Sequence, residues 1–210
     1  MAIVINGSGT VTGLAVGGLP DGTVDAGTLA TNSVDSAELI DGAVDDSHMA
    51  AMAASKLSGT VATARMPAGS VVKDSHTIYA SRTASSSTTA AATGLAVSIT
   101  PTSASNKMII TLNVATWRNQ AQTGVRLWLY RDIGGGGFSN FLLWDYYSGY
   151  GDDGSNDSHD RACIQLLDTT YDSTSSVTYK LYFALSHGSG TVSINQNTSS
   201  SSIYVQEIAV

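Results

Sequence analysis

The aromatic residues of this chain are confined to its second part. All 15 of them (3 Phe, 3 Trp and 9 Tyr) lie at or after Tyr79, and the first 78 of the 210 positions hold none. Aromatic side chains bury large areas and dominate the cores of globular domains. Their distribution therefore predicts two structural regimes, a slender N-terminal part without rings and a C-terminal domain with its own core.

A ten-residue repeat occupies positions 21–50. Its units read DGTVDAGTLA, TNSVDSAELI and DGAVDDSHMA, and each supplies two recurring apolar side chains. Burying one side chain contributes about 1.5–3 kcal/mol, whereas ordering each backbone residue costs about 1–2 kcal/mol, so a unit is unstable alone. We expect copies of the chain to pair these positions along a threefold axis; the alternative is a disordered acidic linker. The positions are Val24, Leu29, Val34, Leu39, Val44 and Met49.

Short elements surround this repeat. Residues 3–16 mix β-branched residues with glycines, which indicates two short strands broken by tight turns. Residues 46–57 are rich in alanine and methionine and predict one short helix. We assign residues 21–75 to an extended, intertwined shaft with short turns and its linker.

Residues 76–210 have the pattern of an antiparallel β domain. Nine short runs of strand-forming residues lie between turn signals, without a helical pattern between them. This organisation predicts a β-sandwich of the jelly-roll type. The clearest alternating sets are Met108, Ile110, Leu112 and Val114 in one run, and Val177, Tyr179, Leu181, Phe183 and Leu185 in another.

Charge and cysteine content exclude several classes of partner. The formal net charge is -7, so the chain lacks the basic surface that nucleic-acid binding requires. No apolar stretch reaches the roughly 18 residues of a membrane span, so we expect no membrane insertion. The single Cys163 can form no intrachain disulfide, and its apolar neighbours predict a buried packing residue.

Several segments together resemble known fibre proteins. They are AIVINGSGTVTGLAVGGLPDGTV, the DGAV-type decapeptides, KLSGTVATARMPAG, SITPTSASNKMIITLNV and the terminal SSIYVQEIAV. These segments are similar to tail fibres and related virion fibres of tailed bacteriophages, especially phages of marine and aquatic bacteria. The resemblance covers nearly the whole chain through low-complexity structural motifs. It implies a homotrimer in which residues 1–20 attach to the virion and a slender shaft carries a C-terminal β-sandwich head.

Pattern and resemblance together predict a structural virion fibre protein, made in the host cytoplasm, whose head binds a glycan or protein of the host surface. Its other expected partners are further copies of itself and virion proteins bound through residues 1–20. One alternative is a capsid head fibre, decoration protein or connector without receptor binding. Another is a capsule-degrading glycosidase, but the many carboxylates offer no preferred pair, so we expect no enzymatic activity and no cofactor.

Aromatic and acidic residues in the stretch 134–160, which begins with a turn of four glycines at 134–137, are candidates for host contact. Aromatic rings stack on sugars while carboxylates accept hydrogen bonds from hydroxyl groups, and loops on rigid sandwiches commonly carry binding residues. In the alternative interpretation, Trp144 packs inward and the tyrosines cover contacts between subunits. The receptor or glycan candidates are Trp144, Tyr146, Tyr147, Tyr150, Asp152 and Asp153.

The same segment contains candidate calcium ligands. Asp152, Asp153 and Asp157 supply the hard oxygen atoms that Ca²⁺ prefers. Their spacing departs from the EF-hand pattern, and no glutamate closes the loop. We therefore favour a solvated acidic loop and expect no metal.

A further pattern lies between residues 125 and 130. Arg126, Trp128 and Tyr130 alternate with an apolar set and must share the opposite face of a strand. If the apolar set faces the core, this second face presents two large aromatic rings outward. Such a surface is typical of an interface, and we favour contact between subunits over contact with a receptor.

Overall fold

The computed structural model describes residues 4–5, 11–12, 44, 59, 61–62, 65–141, 146–151 and 157–210. It gives backbone alone for residues 4–5, 11–12, 146–147 and 149–151. Two compact units are present, Met1–Gly59 and Thr60–Val210. Within the described ranges, no helix has both the length and the apolar character needed to cross a membrane.

The described residues form short and long β-strands. The strands are β1 (Val4–Ile5), β2 (Val11–Thr12), β3 (Val71–Tyr79), β4 (Thr83–Ser85), β5 (Ala91–Ile99), β6 (Lys107–Arg118), β7 (Thr123–Ile133), β8 (Ser139–Asn140), β9 (Tyr146–Gly151), β10 (Ser158–Asp168), β11 (Val177–Leu185), β12 (Val192–Ile194) and β13 (Ser201–Ile208).

The N-terminal unit contains the hairpin expected between residues 3 and 16. Strands β1 and β2 pair antiparallel, with Ile5 opposite Val11, which confirms the two short strands. Val44 is 46% exposed. The expected helix at 46–57 and the other apolar positions of the expected shaft lie outside the described residues, so the shaft stays a prediction. These positions are Val24, Leu29, Val34, Leu39 and Met49.

The C-terminal unit is a two-layer antiparallel sandwich. In the first sheet, β13 lies between β3 and β6, and β10 pairs with the other edge of β6. In the second sheet, β11 lies between β5 and β7, and β9 pairs with the other edge of β7. The orders β3-β13-β6-β10 and β5-β11-β7-β9 are those of an eight-stranded jelly roll. The short strands extend this framework, since β12 and β4 continue the first sheet and β8 pairs with β7.

The core lies between the two sheets and consists of the alternating sets read from the sequence. Met108, Ile110, Leu112 and Val114 of β6 are all 0% exposed, and the five inward residues of β11 are buried as well. The predicted antiparallel sandwich with these inner faces is therefore confirmed.

Three local expectations differ from the structure. Strand β3 begins at Val71, ahead of the domain boundary expected at residue 76. The polar residues in this strand weaken the alternation of apolar and polar residues by which a strand is recognised in a sequence. Strand β9 forms inside the segment expected to be a loop. Its tyrosines favour a strand, but Ser148, Gly149 and Gly151 are typical of turns and lower the β-propensity of the segment. The expectation that Cys163 is buried is wrong: Ala162 points into the core, so the next residue points outward and is exposed.

A buried carboxylate joins the two sheets. Asp168, at the end of β10, is 0% exposed. Its two oxygens accept hydrogen bonds from Arg131 Nη1 of the second sheet at 2.8 and 2.7 Å. Tyr179 Oη donates to the same carboxylate at 2.6 Å, and Thr170 N donates at 2.8 Å. Because burial of an unpaired carboxylate is costly, these donors hold the sheets together at a fixed position.

A second buried carboxylate closes a turn. Glu207 of β13 is 0% exposed, and its Oε1 accepts hydrogen bonds from the backbone and hydroxyl groups of Thr102, each at 2.8 Å. Asn106 Nδ2 donates to the same oxygen at 2.8 Å. The turn between β5 and β6 is thereby fastened to the strand at the centre of the first sheet.

We predict that Asp168→Asn lowers the free energy of unfolding by about 3–5 kcal/mol, the range found when one partner of a buried ion pair is removed. The measurement is urea denaturation at neutral pH. Asp132→Asn is the matched control, because Asp132 Oδ1 accepts a hydrogen bond from an exposed turn residue, Gly137 N. Equal losses in the two variants would contradict the bridging role of Asp168.

Two buried tyrosines make stability sensitive to alkali. Burial raises the pKa of Tyr171 to about 12, and the charges of Glu207 and Asp168 add to the shift. Burial also raises the pKa of Tyr179, and the charge of Asp168 is the next cause. In the unfolded chain both phenols ionise near pH 10. The folded state thus retains protons that the unfolded state loses.

We therefore expect the free energy of unfolding to fall as the pH rises above about 10, with the contribution of Tyr171 exhausted near pH 12. Urea denaturation at a series of pH values measures this slope. Tyr171→Phe should make it shallower between these limits, since the unfolded variant has one proton fewer to release. An unchanged slope in the variant would contradict the assignment.

Candidate functional site

The outer face of β7 carries the aromatic pattern singled out in the sequence. Val125, Leu127 and Leu129 point into the core with exposures of 1, 0 and 0%. Arg126, Trp128 and Tyr130 alternate with them and are half-buried on the opposite face. The predicted separation of the two faces is confirmed.

Strand β11 extends this face. Tyr182 lies opposite Trp128 in the register, and Lys180 lies opposite Tyr130. The rings of Tyr182 and Tyr130 stack diagonally, with centroids 3.9 Å apart and planes inclined by 24°. Residues from neighbouring strands therefore form one continuous aromatic surface.

The four-glycine segment explains how a further ring reaches this surface. Gly134, Gly135 and Gly137 have φ values of 63, 82 and 105°, which the other residue types rarely adopt. They turn the chain tightly between β7 and β8. The turn brings Phe138 back to 6.4 Å from Tyr182, measured between ring centroids. Phe138 remains 38% exposed.

Two cations accompany the rings. The guanidinium carbon of Arg126 lies 4.8 Å from the ring centroid of Trp128. The ammonium group of Lys180 lies 5.4 Å from that of Phe138. We call this surface the aromatic face, and its members are Arg126, Trp128, Tyr130, Phe138, Lys180 and Tyr182. Tryptophan, tyrosine and arginine carry much of the binding energy at protein interfaces, and cations over rings strengthen such surfaces.

The candidates for host contact lie near this face only in part. Tyr146, Tyr147 and Tyr150 belong to β9, the strand next to β7, with Tyr147 opposite Arg126 in the backbone register. The structure describes only their backbone. Trp144, Asp152 and Asp153 lie outside the described residues, so their assignment to glycan or receptor contact stays a prediction.

The third acidic candidate lies at the first sheet instead. Asp157 accepts a hydrogen bond from the Trp117 indole of β6, and its Oδ1 is 3.7 Å from His159 Nε2. Among the residues that the structure describes, no group of three metal-ligating side chains comes together.

Sequence reasoning did not identify Phe138, Lys180 and Tyr182 as members of the face. The alternation of β11 signalled that Lys180 and Tyr182 point away from the core. Only the pairing of β11 with β7 shows that these side chains lie beside Trp128 and Tyr130. This pairing joins residues about 50 positions apart, which no local sequence pattern reveals.

The solved structures that match this chain have low sequence identity to it. No family model matches the chain, and no curated protein matches it. The solved structure of the infectious bursal disease virus VP2 subviral particle has 12% sequence identity and a TM-score of 0.39, covering 67% of this chain and 39% of that one. The Gt strain of the same virus gives 9% identity and a TM-score of 0.39, covering 73% and 43%. The chain thus spans about two fifths of the length of these structures.

Proposed function

We propose that this chain is a structural protein of a virus particle, built as a trimeric fibre. Residues 1–20 attach it to the particle, residues 21–75 form the shaft with two further copies, and the C-terminal domain is the head. The sequence segments similar to phage fibres support this proposal, as does a repeat that is too poor in apolar residues to fold alone. The jelly roll itself occurs in viral capsid and lectin domains, among others.

The observation that carries the proposal is the aromatic face. It gathers four aromatic rings and two cations on the outer side of one sheet, and we assign it to contact between copies of the chain. Two arguments favour a second copy as its occupant. The composition is that of an interface centre. The two cations also complement a chain whose net charge is -7.

In this proposal the head contacts the host surface and performs no catalysis. The second candidate role is a capsid head fibre, decoration protein or connector without receptor binding. The shortness of the repeat, which spans positions 21–50, favours that role because a long fibre would need a longer shaft.

Sedimentation of the full chain tests the assembly. The wild-type protein is expected to sediment with the mass of three chains of 21.7 kDa. Tyr182→Ser and Lys180→Glu should shift it toward smaller species, because they remove a stacked ring and reverse a charge of the aromatic face. Tyr204→Ser is the matched control, since Tyr204 is a half-buried tyrosine of the first sheet, paired with His76.

Circular dichroism of each variant separates loss of contact from loss of folding. A monomeric wild-type protein would contradict the trimer. A trimer that survives both variants of the aromatic face would contradict the assignment of the interface.

Gold-labelled antibodies against residues 76–210 test the location. We expect label on the tails of intact phage particles, because the host-binding proteins of a tailed particle are carried there. Label on the capsid would instead select the decoration role. Purified particles without label would contradict a virion protein of either kind.

A further inference from the structure

The outer face of the first sheet holds a cavity of about 380 Å³ that is separate from the aromatic face. It opens where β6 places a small residue, Ala115, between the longer side chains of Asn113 and Trp117. The cavity is lined by Ala115, Thr116, His159, Asp160, Arg161 and Ser199. This volume falls in the lower part of the roughly 300–1,000 Å³ range of small-molecule sites.

Strand pairing builds the wall of this cavity. Arg161 of β10 is the register partner of Ala115, and His159 is the partner of Trp117. Ala115, which is 6% exposed, forms the floor of the cavity, because its side chain is only a methyl group. Arg161 and His159 thus lie on the strand next to Ala115.

The guanidinium group of Arg161 is held in place. Its Nη1 donates hydrogen bonds to Asn113 Oδ1 at 2.5 Å and to the backbone oxygen of Ser200 at 3.3 Å. Within the described part of the chain, its Nε and Nη2 donate to no acceptor. A positioned guanidinium with free N–H groups is suited to a carboxylate, which it binds through paired hydrogen bonds.

The neighbouring acidic side chains are already engaged. Asp160 Oδ2 accepts a hydrogen bond from Ser148 Oγ of the second sheet at 2.9 Å. Asp157 accepts from the Trp117 indole. Neither contact consumes a donor of Arg161, which leaves its remaining N–H groups for a ligand anion.

The rest of the surroundings favours a polar ligand with an apolar side. Trp117 lies two register positions beyond Ala115 on the same face of β6. The guanidinium carbon of Arg82 lies 5.6 Å from the centroid of the Trp117 ring. The polar residues Ser199 and His159 line the cavity. Sugars combine hydroxyl groups with apolar C–H faces, and acidic sugars add a carboxylate.

We propose that this cavity binds the carboxylate of an acidic saccharide unit, a ligand of the size of one sugar ring. Arg161 donates hydrogen bonds to the carboxylate, and the small side chain of Ala115 leaves space for the ring. The site is argued from its own geometry and does not depend on the trimer or on the aromatic face.

Calorimetric titration of the full-length protein tests the site with two matched probes. Glucuronate is expected to bind at least about tenfold more tightly than glucose, which has the same ring without the carboxylate. Arg161→Gln should reduce the affinity for glucuronate about tenfold, to the level of glucose, and Arg161→Lys should restore it only in part. Arg65→Gln, which changes an exposed arginine elsewhere, should leave binding unchanged.

A steric variant supplies an independent arm. Ala115→Leu keeps every charge and fills the floor, so it should abolish binding of both probes. Wild-type affinity in Arg161→Gln or Ala115→Leu would overturn the proposal, as would equal affinity for the two sugars or no heat with either at tens of millimolar. Sedimentation of these variants should match wild type, so failure here is distinguishable from failure of the trimer.

Discussion

The Asp168 carboxylate is the contact on which the alignment of the two sheets depends. It belongs to β10 at the edge of the first sheet, yet its partners Arg131 and Tyr179 belong to the second. Burying this charge is tolerable only when both partners are in place, so a shifted register would leave it unpaired. Near the other end of β10, Asp160 bonds Ser148 across the sandwich. The edge strand is therefore fastened to the opposite sheet at both ends.

The sequence indicates the direction of these polar groups but not their partners. Asp168 continues the inward phase of Ala162, and Glu207 continues that of Ile203 and Val205, so alternation alone places both carboxylates on the core side. Their partners come from distant strands or loops, and proximity follows only from the jelly-roll pairing. Local periodicity thus predicts faces, whereas topology decides contacts.

The difference between local periodicity and strand pairing also explains which features of the structure the sequence did not predict. Cys163 has apolar neighbours in sequence, which suggested burial, but burial on a strand depends on phase, and Ala162 holds the inward phase. Arg161 carried no motif because its cavity exists only where β10 lies beside Ala115 of β6. The aromatic face was predicted for its β7 half, since alternation within a single strand suffices there. Its β11 half required the pairing.

The two proposed surfaces are compatible because they lie on opposite sides of one sandwich. Copies that meet through the outer face of the second sheet leave the outer face of the first sheet turned away from the axis. Three copies would then present three cavities outward on one rigid head. A single sugar ring offers few contacts and binds weakly, yet linked sites engage a repetitive surface with an avidity that can exceed the single-site affinity by about 10²–10⁴. Association of the copies through the second sheet would therefore allow weak sugar binding at the first sheet to give strong attachment to a repetitive surface.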